Sequence, residues 1–219
     1  MNRDVIVEYI PLYVEALGRT VHIGLVGILG AILLGLGSSL ILYFQVKGFR
    51  RLTRAYIELF RNTPLLVQLF FLYFGLPKLG LRITADFCGM LGLALIGGSY
   101  MAETFRSGLE AVDRIQFESA KSLGMSPGQT FFYVILPQAV STSVPGFVAN
   151  MIFLLKETSV FSAISVMDLM FTAKDLIGME YKTMEALTLL VVFYLIMLLP
   201  VSVLGSLVER RVRYGSYGD

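Results

Sequence analysis

The sequence predicts an all-α integral membrane protein with about five transmembrane helices, and three observations carry that prediction. Hydrophobic residues make up 56% of the 219-residue chain, against roughly 45–50% in soluble domains. Charged residues make up only 16%, against about 25%, too few to cover a soluble surface. The apolar residues also gather into runs near the ~20-residue length that crosses a bilayer as a helix.

Taken in order, residues 1–19 carry Arg3, Asp4, Glu8, Glu15 and Arg19, which interrupt any signal-peptide-like apolar core. With Val5, Tyr9, Tyr13 and Leu17 apolar, this segment reads as an amphipathic helix on the membrane interface. The first span, about 20–44, sets Gly27, Ala31, Gly35 and Ser39 at four-residue spacing, a stripe that lets another helix approach closely. His22, the only histidine, lies in this apolar run and reads as a tolerated helix residue. The second span, about 55–76, is apolar except for Arg61, Asn62 and Gln68, and the third runs about 86–105. The fourth, about 137–164, is interrupted by Pro145, Asn150 and the pair Lys156–Glu157, and the fifth runs about 186–207. Residues 20–213 thus form one transmembrane unit, followed by a short tail at 214–219.

An odd number of spans puts the termini on opposite sides, and loop charge says which. Lys47, Arg50, Arg51 and Arg54 follow the first span, Arg106, Arg114 and Lys121 the third, and Arg210, Arg211 and Arg213 the last. The alternate loops mix Arg3, Arg19, Lys78, Arg82, Lys156, Lys174 and Lys182 with nine acids. The bias predicts an outside N-terminus and a cytoplasmic C-terminus. A single cysteine, Cys88, excludes an intrachain disulfide and a cysteine-based zinc site. The net charge of +2 gives no reason to expect nucleic acid.

The longest cytoplasmic connection, 110–136, is predicted to hold two short helices. Asp113 with Gln116 and Ser126 with Gln129 both have capping-box spacing, Pro127 fits the first helical position, and Gly124 is placed to end the first helix. Ile115, Ala120 and Leu123 offer an apolar face on the first, and Phe131, Val134 and Ile135 on the second. From pattern alone this is either a docking element or an amphipathic hairpin resting on headgroups.

Glu118-Ser119-Ala120, three residues, Gly124, nine residues, then Val134-x-Leu136-Pro137 resembles the EAA loop of ABC importer permeases. Ser119 stands where that pattern has Ala, and Val134 where it has Ile. Residues 60–68, Phe-Arg-Asn-Thr-Pro-Leu-Leu-Val-Gln, are similar to the FRGTPLLVQ segment of the polar amino acid permeases, the histidine and glutamine uptake type, with Asn62 in place of Gly. Residues 99–106 resemble their AAYxAExxR segment, and Lys156-Glu157-Thr158-Ser159 their KDTS. The resemblance covers about 10–213. It implies a MetI-like, type I importer fold in the bacterial inner membrane and a second permease copy, identical or related. It further implies two ATPase subunits, an extracytoplasmic solute-binding protein and an amino acid substrate. It places the ATPase contact on Glu118, Ser119, Ala120, Leu123, Gly124 and Met125, within 110–137. The sequence contains no GxxxxGK[ST] phosphate loop, so no catalytic residue, metal or cofactor is expected in this chain, with ATP and Mg bound by the ATPase.

Charges within spans are costly and are functional candidates by default. Glu157 leads, as a partner for an ammonium or basic group, or for a salt bridge to a neighbouring helix. Lys156 either pairs with a carboxylate or snorkels outward. Thr158 and Ser159 lie beside them. Asn62, Thr63 and Gln68 offer hydrogen bonds, and Pro64 opens the backbone next to them. Arg61 either meets substrate or pairs with Glu58. Tyr100 and Glu103 complete the candidate path, although Glu103 also stands three residues from Arg106. The competing reading is a secondary transporter or channel subunit driven by an ion gradient.

Overall fold

A computed structural model describes residues 3–216, so the predicted tail beyond residue 216 lies outside the described residues. It is helical throughout, with no strand among the described residues. Helix α1 runs Arg3–Tyr43, α2 Phe49–Arg61, α3 Leu65–Phe70, α4 Ala85–Glu110, α5 Arg114–Ser122, α6 Pro127–Thr130, α7 Leu136–Glu157, α8 Leu169–Glu180 and α9 Thr183–Ser216. Four stretches are long and apolar enough to cross a membrane: Asp4–Tyr43, Ala85–Glu110, Pro127–Ile164 and Thr183–Val212. A fifth is the broken pair Phe49–Arg61 and Leu65–Leu79, bent by 105°.

Helix α4 is the most buried span, and α1 lies along it. The small-residue stripe of α1 makes that contact. A Cβ added at Gly35 would stand 2.4 Å from the Cβ of Met101, and one added at Gly97 would stand 2.7 Å from the Cβ of Ala31. Two helices close this tightly leave no room for a methyl group between them. Helix α7 closes the other flank of α4, where Asn150 Nδ2 donates to Thr104 Oγ1 at 2.9 Å and Ser143 Oγ approaches Thr104 O at 3.4 Å. Asn150 therefore joins two helices rather than interrupting one, and α7 continues through Pro145.

Three sequence expectations change. Residues 3–19 are not a separate helix: they are the first half of a continuous 41-residue α1. Their apolar face packs on protein, because Tyr9, Tyr13 and Ala16 are buried against Leu169, Ala173, Leu176, Ala186, Leu189 and Phe193 of α8 and α9. Tyr13 donates to Ala186 O at 2.7 Å, and Tyr9 to Glu180.

The second short helix of the loop is also not separate. Helix α6 runs through a wide π-type turn, Phe131–Ile135, straight into α7, so the fourth span begins ten residues before Pro137. A proline lacks its N–H and its ring clashes with the carbonyl four residues back; the wider turn just before Pro137 absorbs both. The same device recurs in the second span, where the π-type turn Phe71–Gly75 precedes Pro77.

Third, the second span is two arms rather than one helix. Pro64, with φ −57° and ψ 141°, has an extended backbone and starts a new helix instead of continuing α2.

Candidate functional site

The predicted loop helix exists as α5, held at both ends. Asp113 accepts from Ile115 N at 2.9 Å. At the other end Gly124 (φ +77°) donates to Lys121 O at 3.0 Å and Met125 donates to Ala120 O at 3.1 Å. This is the paired bonding of a Schellman cap, which needs a left-handed residue at the glycine position. Beyond it Ser126 and Gln129 form a complete capping box, starting α6. Ala120 is the one buried residue of α5, turned onto the bundle. Glu118 and Ser119 face outward, and among the described residues Glu118 pairs with Arg114 alone, at 3.2 Å on the same helix. Ile115, Phe117 and Leu123 are exposed, Leu123 by 82%, while Met125 is half-buried. Together α5 and its C-cap Leu123 expose three large apolar side chains on a segment capped at both ends, an exposed apolar patch of the kind found at contact sites.

The second constellation surrounds the break in the second span. Asn62, with an ordinary φ of −97°, donates through Nδ2 to Glu58 O at 2.7 Å. Thr63 Oγ1 donates to Leu59 O at 2.7 Å, and Gln68 Nε2 donates to Phe60 O at 3.0 Å and to Thr63 O at 2.9 Å. The donors expected on the path are therefore engaged with carbonyls around the break, those of Glu58, Leu59 and Phe60 in α2 and of Thr63 just after it.

Arg61 does not pair with Glu58. The end of α2 lies against α4, so Arg61 reaches Glu103 at 3.6 Å and stands over the Tyr100 ring at 5.9 Å. Glu103 also takes Arg106 at 2.8 Å, and Arg106 takes Glu110 at 2.7 Å. Tyr100 meets Phe153 of α7 edge to face at 5.4 Å. Phe153 is one turn before Glu157 on the same helix, a spacing that could have flagged it from the sequence.

Glu157 ends α7, half-buried and without a hydrogen bond or ion pair among the described residues. Lys156 beside it is exposed. Thr158 is fully buried and its Oγ1 donates to Leu155 O at 2.7 Å, so it caps α7 rather than facing an opening; Ser159 is half-buried. Helix α3 packs on Thr158–Ile164, the turn that follows Glu157. The structure thus joins the break to Glu103 and Tyr100 through Arg61, and Tyr100 to the helix that Glu157 ends through Phe153. It removes Thr158, Asn62, Thr63 and Gln68 from the free donors. Glu157 is thus the carboxylate of this set that can take a cation.

One buried acid escaped the sequence reading. Asp168 is fully buried at the start of α8, where it accepts from Phe171 N at 3.0 Å and Met170 N at 3.3 Å. Burial pushes its carboxyl up to about 6, against the lowering effect of those two bonds. Nothing in the local pattern distinguishes it from the exposed loop acids, since burial comes from the packing of α1 and α9. No group of three or more metal-ligating side chains occurs among the described residues.

Residues 27–214 match the family described as "Binding-protein-dependent transport system inner membrane component". The chain is 32% identical over 216 residues to the arginine transport system permease protein ArtQ of Bacillus subtilis (strain 168), covering 97% of this chain and 99% of that one. It is 28% identical over 212 residues to the probable glutamine ABC transporter permease protein GlnM of the same organism, covering 97% and 98%. Among solved structures, a chain from a crystal structure of an amino acid ABC transporter with histidines superposes with a TM-score of 0.90 at 35% identity, covering 96% of this chain and 99% of that chain. The inward-facing MetNI methionine ABC transporter shares the fold, with a TM-score of 0.78 at 20% identity, covering 97% and 99%.

Proposed function

The chain belongs to the binding-protein-dependent transport system inner membrane components, and from that premise we propose that it is the transmembrane permease subunit of an ATP-driven amino acid importer. The observation that carries this reading is α5, a short helix rigidly capped at both ends that turns Ile115, Phe117 and Leu123 outward. Glu118, Ser119, Ala120, Leu123, Gly124 and Met125 form the contact with a separate ATPase, on the cytoplasmic side, and nucleotide-driven closure there moves the spans. ATP and Mg are bound by that partner. Two ATPase copies, a second permease and an extracytoplasmic binding protein complete the assembly. The relatives that carry amino acids support that substrate class. Glu157, at the end of an interrupted helix, receives the amino acid's ammonium or a basic side chain, with Tyr100 and Phe153 beside it and Lys156 toward the opening. A gradient-driven transporter would leave α5 without a purpose.

Glu118→Lys and Gly124→Asp test the contact. Both variants should reach the membrane, because both positions are exposed and the strain of an Asp at φ +77° falls on the loop turn alone, and both should lose ATP-coupled uptake. Normal uptake by the stably expressed double variant would overturn the assignment.

A further inference from the structure

Gln68 stands apart from the other side chains at the break. Asn62 and Thr63 cap the helix that they directly follow, whereas Gln68 reaches back from the second arm. Its Nε2 donates to Phe60 O in the last turn of α2 and to Thr63 O within the break, so both amide hydrogens tie α3 to the first arm. Only this amide orientation works, since an oxygen in that place would face two carbonyl oxygens. The side chain is 7% exposed, and its Oε1 has no partner among the described residues. The break leaves Phe60 O and Thr63 O outside a continuous helix, and the Gln68 amide supplies a donor to each.

We propose that Gln68 is a positioning residue that pins the 105° bend and thereby sets the separation of the two halves of the transport path. Arg61, on the first arm, holds Glu103 and Tyr100. The second arm packs on the turn that follows Glu157. If the bend relaxes, Arg61 loses its place against Glu103 and Tyr100 while the second arm shifts on the turn that follows Glu157. The inference rests on the reading of this region as the path, and its test separates the pin from the path.

The experiment uses the assembled transporter with its ATPase and binding protein. Spin labels go on Leu52→Cys and Phe74→Cys, exposed by 67% and 53% on the two arms; the native Cys88 is fully buried. Gln68→Met keeps the length of the side chain and removes both donors. It should broaden and lengthen the label distance and raise the transport KM about tenfold with kcat little changed. Gln68→Glu places an oxygen against the two carbonyls, and its uptake should recover as pH falls, when a protonated carboxyl regains one donor. An unchanged label distance in Gln68→Met would overturn the pin. A changed distance with a wild-type KM would leave the pin standing and overturn its role in setting the path. Should Gln68→Met fail to assemble, the Gln68→Glu profile decides: recovery at low pH supports the donor role, and a pH-independent loss contradicts it.

Discussion

Of the two carboxylates on the candidate path, Glu103 is neutralised by Arg61 and Arg106, while Glu157 is half-buried with no partner among the described residues. A charge held in that state costs free energy unless a cation visits it. Glu157→Ala should therefore raise the substrate concentration needed for half-maximal uptake about tenfold or more, with assembly intact; unchanged transport kinetics would reject Glu157 as a site residue. Asp168 makes a different prediction, about stability. Its folded value of about 6 lies above the roughly 3.9 of an exposed aspartate, so the folded state binds the proton more tightly. Stability is then lost as pH rises from about 4 to about 6, by about 3 kcal/mol, and stays flat above. Asp168→Asn should retain one capping acceptor, abolish that slope and raise Tm at pH 8. Asp168→Ala should lose the cap, worth ~1 kcal/mol, at every pH. Thermal unfolding in detergent at pH 4.5 and pH 8 distinguishes them.

At the scale of elements, the hydropathy runs located the spans well, because a bilayer demands the same apolar length whatever the tertiary contacts. The capping residues of α5 and α6 were equally legible, since Asp113, Gly124 and Ser126 act on neighbours a few residues away. Pro64 announced a break but not its angle, and nothing local could show that Gln68 would reach back across it. The entry into α7 was misread because Pro137 looked like a helix start. The wide turn that carries the helix past it is a backbone adjustment with no sequence signature of its own. The stripe on α1 was legible as a packing face, and its partner, α4, required the structure. Two glycines of that helix test the contact. Gly35→Val should destabilise the protein by ~1–3 kcal/mol or more, because its Cβ would collide with Met101. Gly37→Ala, with nothing within 4 Å of the new Cβ, should be neutral or stabilise by up to ~1 kcal/mol. Detergent melting curves of the two variants give the comparison; equal Tm values would dismiss the close approach of α1 and α4.

For the molecule as a whole, the shortage of charge has a structural meaning. Nearly all of the chain is helix within or beside the bilayer, and the outward-facing apolar residues of α5 sit on a connection that the spans do not need for their own packing. Family membership makes the chain one component of a binding-protein-dependent transport system; in the proposed reading it supplies the path, and other subunits supply the energy and deliver the solute. The direct test is uptake of labelled amino acids into proteoliposomes that hold this chain with its ATPase and its binding protein. Uptake should require ATP on the ATPase side and persist when ionophores collapse every ion gradient. Uptake without ATP that ionophores abolish would contradict the account.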